Sequence, residues 1–208
     1  MASDERVCVL EQTPNVEAII TALLDESTPQ TEFVQFSRRV IRLVIEAGIN
    51  FLDMEDHTVE TPSGHPFQGL KLVQEPCGIS IMRAGEAMEQ GLRDSLQSIN
   101  MGHMLIQRDR ENPSSDPQIY FHHLPANIDK KPILLLDPII DSGATIINAL
   151  RILVKEGAED KRIIILSVFA SDAGIDRVLG SFPNVRIALA RKMDNCQAVR
   201  FSKRYFGT

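Results

Sequence analysis

Cysteine is scarce in this chain of 208 residues: there are three, Cys8, Cys77 and Cys196, odd in number and scattered. Such a set builds no disulfide framework and offers no CxxC pair for a structural metal. No apolar run approaches the roughly 20 residues of a membrane span. The start, MASDERVCVL, is acidic and lacks the apolar core of a signal peptide. Basic excess is missing too. Lys and Arg number 22 against 28 Asp and Glu, a net charge of -6, which argues against a nucleic-acid-binding face but leaves room for a local phosphate pocket. There is no internal repeat and no low-complexity tract. A reducing compartment follows, read as the cytoplasm with the nucleus as the alternative. What is present is ordinary for a globular protein: 43% hydrophobic and 24% charged residues, enough for a core, in a length that suits one domain over 1–208.

Residues 13–24 read as a short helix with Thr13 as N-cap and Pro14 at its first position. Phe33, Phe36, Val40, Leu43, Val44 and Ala47 fall at helical spacing, and Gly48 is the expected stop of that helix. Residues 53–76 are polar, with two prolines and two glycines between 62 and 69, and read as loops with at most a short strand near Thr58–Glu60. From residue 77 short apolar runs alternate with helical stretches. Strands are expected at 77–82, 102–108, 133–137, 163–169 and 185–190, with helices at 86–98, 145–156 and 174–180. QIYFHHL (118–124) reads as one arm of a hairpin, and 109–117 as a polar loop. This alternation predicts an α/β core over 77–208, a parallel sheet flanked by helices, with residues 1–76 as helical and loop additions.

Ile133 to Leu136 reads as a buried central strand. It runs into Asp137-Pro138-Ile139-Ile140-Asp141-Ser142-Gly143-Ala144-Thr145, after which a helix begins. Ligands of open α/β sheets sit at the carboxyl ends of strands. Backbone amides at a helix start, with Gly143 allowing close approach, favour a phosphate there. Asp137 at the strand end is placed to accept hydrogen bonds from ribose hydroxyls. The loop carries neither the lysine of a Walker loop nor a GxGxxG pattern. On pattern alone it reads equally well as a strand–turn–helix with an ordinary cap.

Four aliphatics followed by Asp-x-x-x-Asp-Ser-Gly-x-Thr resemble the phosphoribosyl pyrophosphate (PRPP) signature of the type I phosphoribosyltransferases. The opening Asp-Pro is similar to the uracil branch. Gly78 to Asp94 (GISIMRAGEAMEQGLRD) resembles the diphosphate loop and helix of the uracil phosphoribosyltransferases. Gly102 to Asp109 is similar to their next strand, Tyr120 to Pro125 to their hairpin, and Phe36 to Asn50 to a helix of the eukaryotic members. The closing Arg204-Tyr205-Phe206-Gly207-Thr208 fits as well.

The resemblance implies a type I phosphoribosyltransferase-like fold, with N-terminal helices and a β-hairpin arm. It implies transfer of phosphoribosyl from PRPP to uracil, giving UMP and diphosphate. Arg83, Ala84, Gly85 and Arg108 would hold the diphosphate. Asp137, Pro138, Ile139, Ile140, Asp141, Ser142, Gly143, Ala144 and Thr145 would hold the ribose and its 5′-phosphate. Asp137, Arg83 and Asp141 are the candidate catalytic groups, and Asp137 is the candidate contact for Mg²⁺. The 109–117 loop, beside the site, reads equally as a lid or as surface. The family implies a homodimer or higher oligomer. The Arg38, Arg39 and Arg42 stripe resembles an allosteric nucleotide site, and reads equally as a solvated face. His103, His122 and His123 lack metal-ligand spacing.

The chain leaves the family pattern in two places. Asp141 stands where the uracil enzymes normally carry Ala, and resembles the purine branch. The glycine-rich Pro-Gly-x-Gly-Asp segment that reads uracil has no counterpart in Lys192 to Lys203, and no Pro or Gly occurs between Pro183 and Gly207. No base-binding residue is therefore carried over. Two alternatives stay open at this stage: a degenerate regulatory subunit that binds PRPP or UMP, and a transferase for another nucleobase.

Overall fold

A computed structural model describes residues 4–107, 117–194 and 196. The elements in chain order are β1 (Val7–Val9), α1 (Pro14–Leu24), α2 (Gln30–Ile49), β2 (Met54–Glu60), β3 (Pro66–Leu72), β4 (Cys77–Met82), α3 (Glu86–Ser95), β5 (Asn100–Gln107), β6 (Gln118–His123), β7 (Ile133–Leu136), β8 (Ile139–Ile140), α4 (Ala144–Lys155), β9 (Ile163–Ala170), α5 (Asp172–Ser181) and β10 (Arg186–Lys192). The main sheet has the order β1-β10-β9-β7-β4-β5-β6, with β8 beside β9. Every pairing in it is parallel except β5 with β6.

The central strands are apolar throughout because both faces of the sheet are covered. Ile133 and Leu135 of β7 join Ile163 and Ile165 of β9 under α4 and α5. Leu134, Leu136, Ile164 and Leu166 point to the other face, where α1, α2 and α3 pack. α1 begins as its sequence predicts: Thr13 accepts a hydrogen bond from the Val16 N–H, and Pro14 opens the helix.

Two expectations need correction. Gly48 does not stop α2, which continues to Ile49. Gly48 is instead a contact surface, since a Cβ there would lie 2.2 Å from Leu166 Cδ2. The 53–76 stretch is not loop: β2 and β3 pair antiparallel from Met54–Leu72 to Glu60–Pro66. This hairpin forms a sheet of its own, and its side chains are mostly exposed, so the alternation of a half-buried strand is missing from the sequence. β6, read as a hairpin arm, pairs with β5 at the edge of the main sheet.

Candidate active site

β4 and β7 are neighbours, with Ser80 opposite Leu136 in register. The segments that follow them therefore leave the sheet side by side at its carboxyl edge. After β4, Arg83 and Ala84 turn the chain into α3, and the Gly85 N–H donates to Ile81 O at 2.8 Å. The Met82–Arg83 peptide bond is cis. Arg83 is exposed, and its guanidinium has no ion-pair partner among the described residues. Gly85 has no room for a side chain: a Cβ would meet Leu136 O at 2.4 Å and Ile81 N at 2.8 Å. The two segments touch through backbone.

After β7, the Asp137 N–H still donates to Leu166 O at 3.2 Å, and Pro138 O accepts from the N–H groups of Val168 and Phe169. Ile139 and Ile140 then run as β8 along the end of β9. Gly143, at φ +72°, makes the left-handed turn into α4. The first turn of α4 has no side-chain cap and no acidic residue. Its amides and its dipole are thus presented to an anion. Asp137 and residues 139–146 line a cavity of about 230 Å³ here. Thr145 is half-buried on its wall.

Asp137 is 7% exposed. Burial pushes its carboxyl up to about 7, opposed only in part by a hydrogen bond from the Ile139 N–H. Asp141 is half-buried at the same cavity. The structure therefore brings Arg83, Ala84, Gly85, Asp137 and the 138–145 loop to one edge of the sheet. Arg108 and the 109–116 loop lie outside the described residues, as does the tail at 195 and 197–208. The tail starts near this edge: the Met193 N–H donates to Ala170 O at 2.8 Å, and Cys196 Sγ lies 3.7 Å from Ile140 O.

The sequence reading missed the outer support of this loop. Ser171 caps α5 by accepting from the Gly174 N–H at 2.8 Å, and its hydroxyl donates to Asp141 O. Arg177 Nη1 donates to Ser142 O at 3.3 Å. A Ser one turn before the helix read at 174–180 is the cap signal that was available. The basic stripe on α2 is partly taken up within the chain: Arg39 donates to Asn15 and lies over Phe36, and Arg42 pairs with Glu46 at 2.7 Å. His103 pairs with Glu89 at 3.0 Å, and His122 lies 3.9 Å from Glu156. A larger cavity of about 680 Å³ opens at the amino ends of the strands, around Phe51, Asp53 and Arg186, and shares no residue with the loops above. Its Arg6 and Arg186 are already held, by Asp4 and by the Phe51 and Lys161 carbonyls respectively.

A family model described as uracil phosphoribosyltransferase matches residues 9–208. The uracil phosphoribosyltransferase 1 of Schizosaccharomyces pombe is 39% identical over 210 residues, covering 97% of this chain and 95% of that protein. A uracil phosphoribosyltransferase homolog of Danio rerio is 39% identical over 200 residues, 96% of this chain and 77% of its own length. Among solved structures, a protein of Aquifex aeolicus superposes with a TM-score of 0.76 at 20% identity, covering 89% of this chain and 86% of that one. An adenine phosphoribosyl transferase of Trypanosoma brucei superposes with a TM-score of 0.58 at 8% identity, covering 92% and 85%. These two likenesses concern the fold alone. The match over nearly the whole length means that the chain belongs to the uracil phosphoribosyltransferase family.

Proposed function

We infer that this chain transfers the phosphoribosyl group of PRPP to uracil, giving UMP and diphosphate. The observation that carries the reading is the contact of the 83–85 turn with the end of β7. It brings the turn of Arg83, a guanidinium with no ion-pair partner among the described residues, to the same sheet edge as a helix start without a side-chain cap, and a molecule with a diphosphate at one end and a 5′-phosphate at the other calls for both features. Membership of the family supports uracil as the acceptor.

In this reading the amides of the 141–145 segment and the Thr145 hydroxyl hold the 5′-phosphate. Asp137 accepts hydrogen bonds from the ribose hydroxyls. Arg83 binds the diphosphate and stabilises it as it leaves, with Ala84 and Gly85 letting it lie against the backbone. Arg108 is proposed as the second diphosphate contact. A ring nitrogen of uracil forms the new bond to C1 of the ribose, and the bond from C1 to the diphosphate oxygen breaks with its electron pair going to the diphosphate. The ring nitrogen loses its proton, and Asp141 is the acceptor we assign. Positioning and shielding from water supply most of the acceleration for such a displacement.

Mg²⁺ is the proposed cofactor. Among the described residues no three His, Cys, Asp or Glu side chains come together as a cation cage. Asp137 can give one oxygen, which suits an ion that keeps waters and takes its other ligands from substrate phosphates. A buried carboxyl whose charge is relieved only in part, by the Ile139 N–H, also favours a nearby cation. When bound, the ion would offset charge on the departing diphosphate. Self-association is proposed from the hairpin, where Val59, Phe67 and Leu70 are 43%, 59% and 66% exposed. The cytoplasm is the proposed compartment. Among the described residues no helix is long and apolar enough to cross a membrane.

The test is turnover of PRPP and Mg²⁺ with a panel of nucleobases. Uracil is expected to give UMP at an ordinary enzyme rate, about 1 per second or more. Turnover of another base in preference, or UMP binding without turnover of any base, would overturn the assignment.

A further inference from the structure

Three successive carbonyls of the loop are tied to α5 and its cap. The Ser171 N–H donates to Ile140 O at 2.8 Å, Ser171 Oγ donates to Asp141 O, and Arg177 Nη1 donates to Ser142 O at 3.3 Å. In a trans peptide the N–H of the next residue points opposite to the carbonyl. The N–H groups of Asp141, Ser142 and Gly143 are therefore turned away from α5. The cavity of about 230 Å³ lies on that side: it is lined by Asp137 and residues 139–146, and among the described residues by none from α5. Gly143 at φ +72° supplies the left-handed step that brings consecutive N–H groups into one concave anion site.

The fit between loop and helix is close. A Cβ on Gly174 would lie 2.2 Å from Asp141 O, and one on Gly143 would lie 2.8 Å from Gly174 O. The Ser171 hydroxyl is fully engaged, because it has a single proton to donate. It accepts from the Gly174 N–H as an ordinary helix cap, and its proton goes to the loop. Capping α5 does not require that second bond.

We propose that Ser171 and Arg177 are positioning residues for 5′-phosphate binding: from outside the cavity they hold the loop carbonyls, so that three consecutive N–H groups face the anion. This rests on reading the loop as the phosphate site. Neither side chain touches substrate. Loss of either lets loop peptides rotate, so the site then spends binding energy on ordering its own backbone.

The experiment is calorimetric titration of UMP into wild type, S171G, S171T and R177A, with thermal unfolding of each. Glycine is a tolerated helix cap, so S171G removes the donor with little loss of helix stability. Arg177 is exposed, so R177A is expected to fold. S171G and R177A are expected to weaken UMP about tenfold, the upper end of what one intramolecular hydrogen bond contributes to holding the loop. S171T, which keeps the hydroxyl, is expected to restore wild-type affinity. In turnover assays the KM for PRPP should rise while the KM for uracil stays within about twofold. Unchanged UMP affinity in both S171G and R177A would overturn the proposal, and so would a loss confined to the unfolding temperature. Calorimetry needs no turnover, so failure of the uracil assignment is separable. A wild type that binds neither UMP nor PRPP would remove both readings.

Discussion

A methyl group on Gly85 would sit 2.4 Å from the carbonyl oxygen of Leu136, the last residue of β7. The 83–85 turn and the end of β7 thus share a backbone-to-backbone border, and in the proposed reading its width sets how far apart the two ends of PRPP are held. Gly85→Ala must push the 83–85 turn away from Asp137 or distort β7. The overpacking is expected to cost about 1–3 kcal/mol of stability, read by denaturant unfolding. PRPP affinity is expected to fall by more than UMP affinity, because only PRPP spans the border. Equal losses for both ligands would mean that the border does not set the spacing.

Thr145 stands in the first turn of α4, on the cavity wall. Thr145→Val keeps the shape and removes the hydroxyl. UMP binding is expected to weaken by at least about 1 kcal/mol, the scale of a hydrogen bond to a charged group. Calorimetry checks this, and equal affinities would remove Thr145 from the phosphate site.

The parts of the chain that could be read from sequence are those whose residues report their own surroundings. β4, β7 and β9 are short apolar runs because both of their faces are covered, and a strand with no polar face has few other homes. The 137–145 loop was legible as a strand–turn–helix, with Gly143 at its left-handed turn, but pattern alone did not separate a ligand loop from an ordinary cap, and the resemblance of its residue order did. β1 and β8 have three and two residues, too few to show a period. The hairpin was hidden for the opposite reason to the core: its residues face outward, so no alternation marks them. Gly48 misled because the same residue type serves as a helix stop and as a surface for close packing, and only the proximity of Leu166 shows which applies. The support from Ser171 and Arg177 was illegible because its partners lie about 30 residues away, where only tertiary contact brings them to the loop.

Arg83 is exposed in the turn after β4, with its charge uncommitted to any acidic partner among the described residues. Assigned to the diphosphate, it should matter only to ligands that carry one. Arg83→Ala is expected to weaken PRPP by about 2 kcal/mol or more, in the range of a charge-assisted bond, and to leave UMP within about twofold. The folded state should be little affected, because the residue is exposed. A parallel loss for both ligands would place Arg83 at the 5′-phosphate or the base instead.

The last prediction concerns Asp137, a carboxyl group 7% exposed at the end of β7. Burial raises its folded-state value from 3.8 to about 7, while in the unfolded chain it titrates at the ordinary value. Between those two values the folded state binds the proton and the unfolded state does not. Stability must therefore fall as the pH rises from about 4 to about 7, and level off above that. The shift corresponds to a penalty on the order of 4 kcal/mol above about pH 7, an upper bound for a group at the wall of a cavity. An asparagine side chain at this position would keep an acceptor for the Ile139 N–H and would not titrate. Asp137→Asn is thus expected to match wild type near pH 4 and to become progressively more stable than wild type toward pH 7, measured as a difference in denaturant midpoint. In the proposed reading the same variant should lose turnover, since the ribose contact and the candidate Mg²⁺ ligand assigned to Asp137 are gone. Adding Mg²⁺ with PRPP should narrow the stability gap, because a cation beside Asp137 favours its ionised form in the wild type alone. A gap that is constant with pH would show that Asp137 is ionised in the folded state throughout. The burial penalty on its charge would then be refuted, whereas the ribose and metal roles, which call for the ionised carboxylate, would be decided by the turnover and Mg²⁺ measurements.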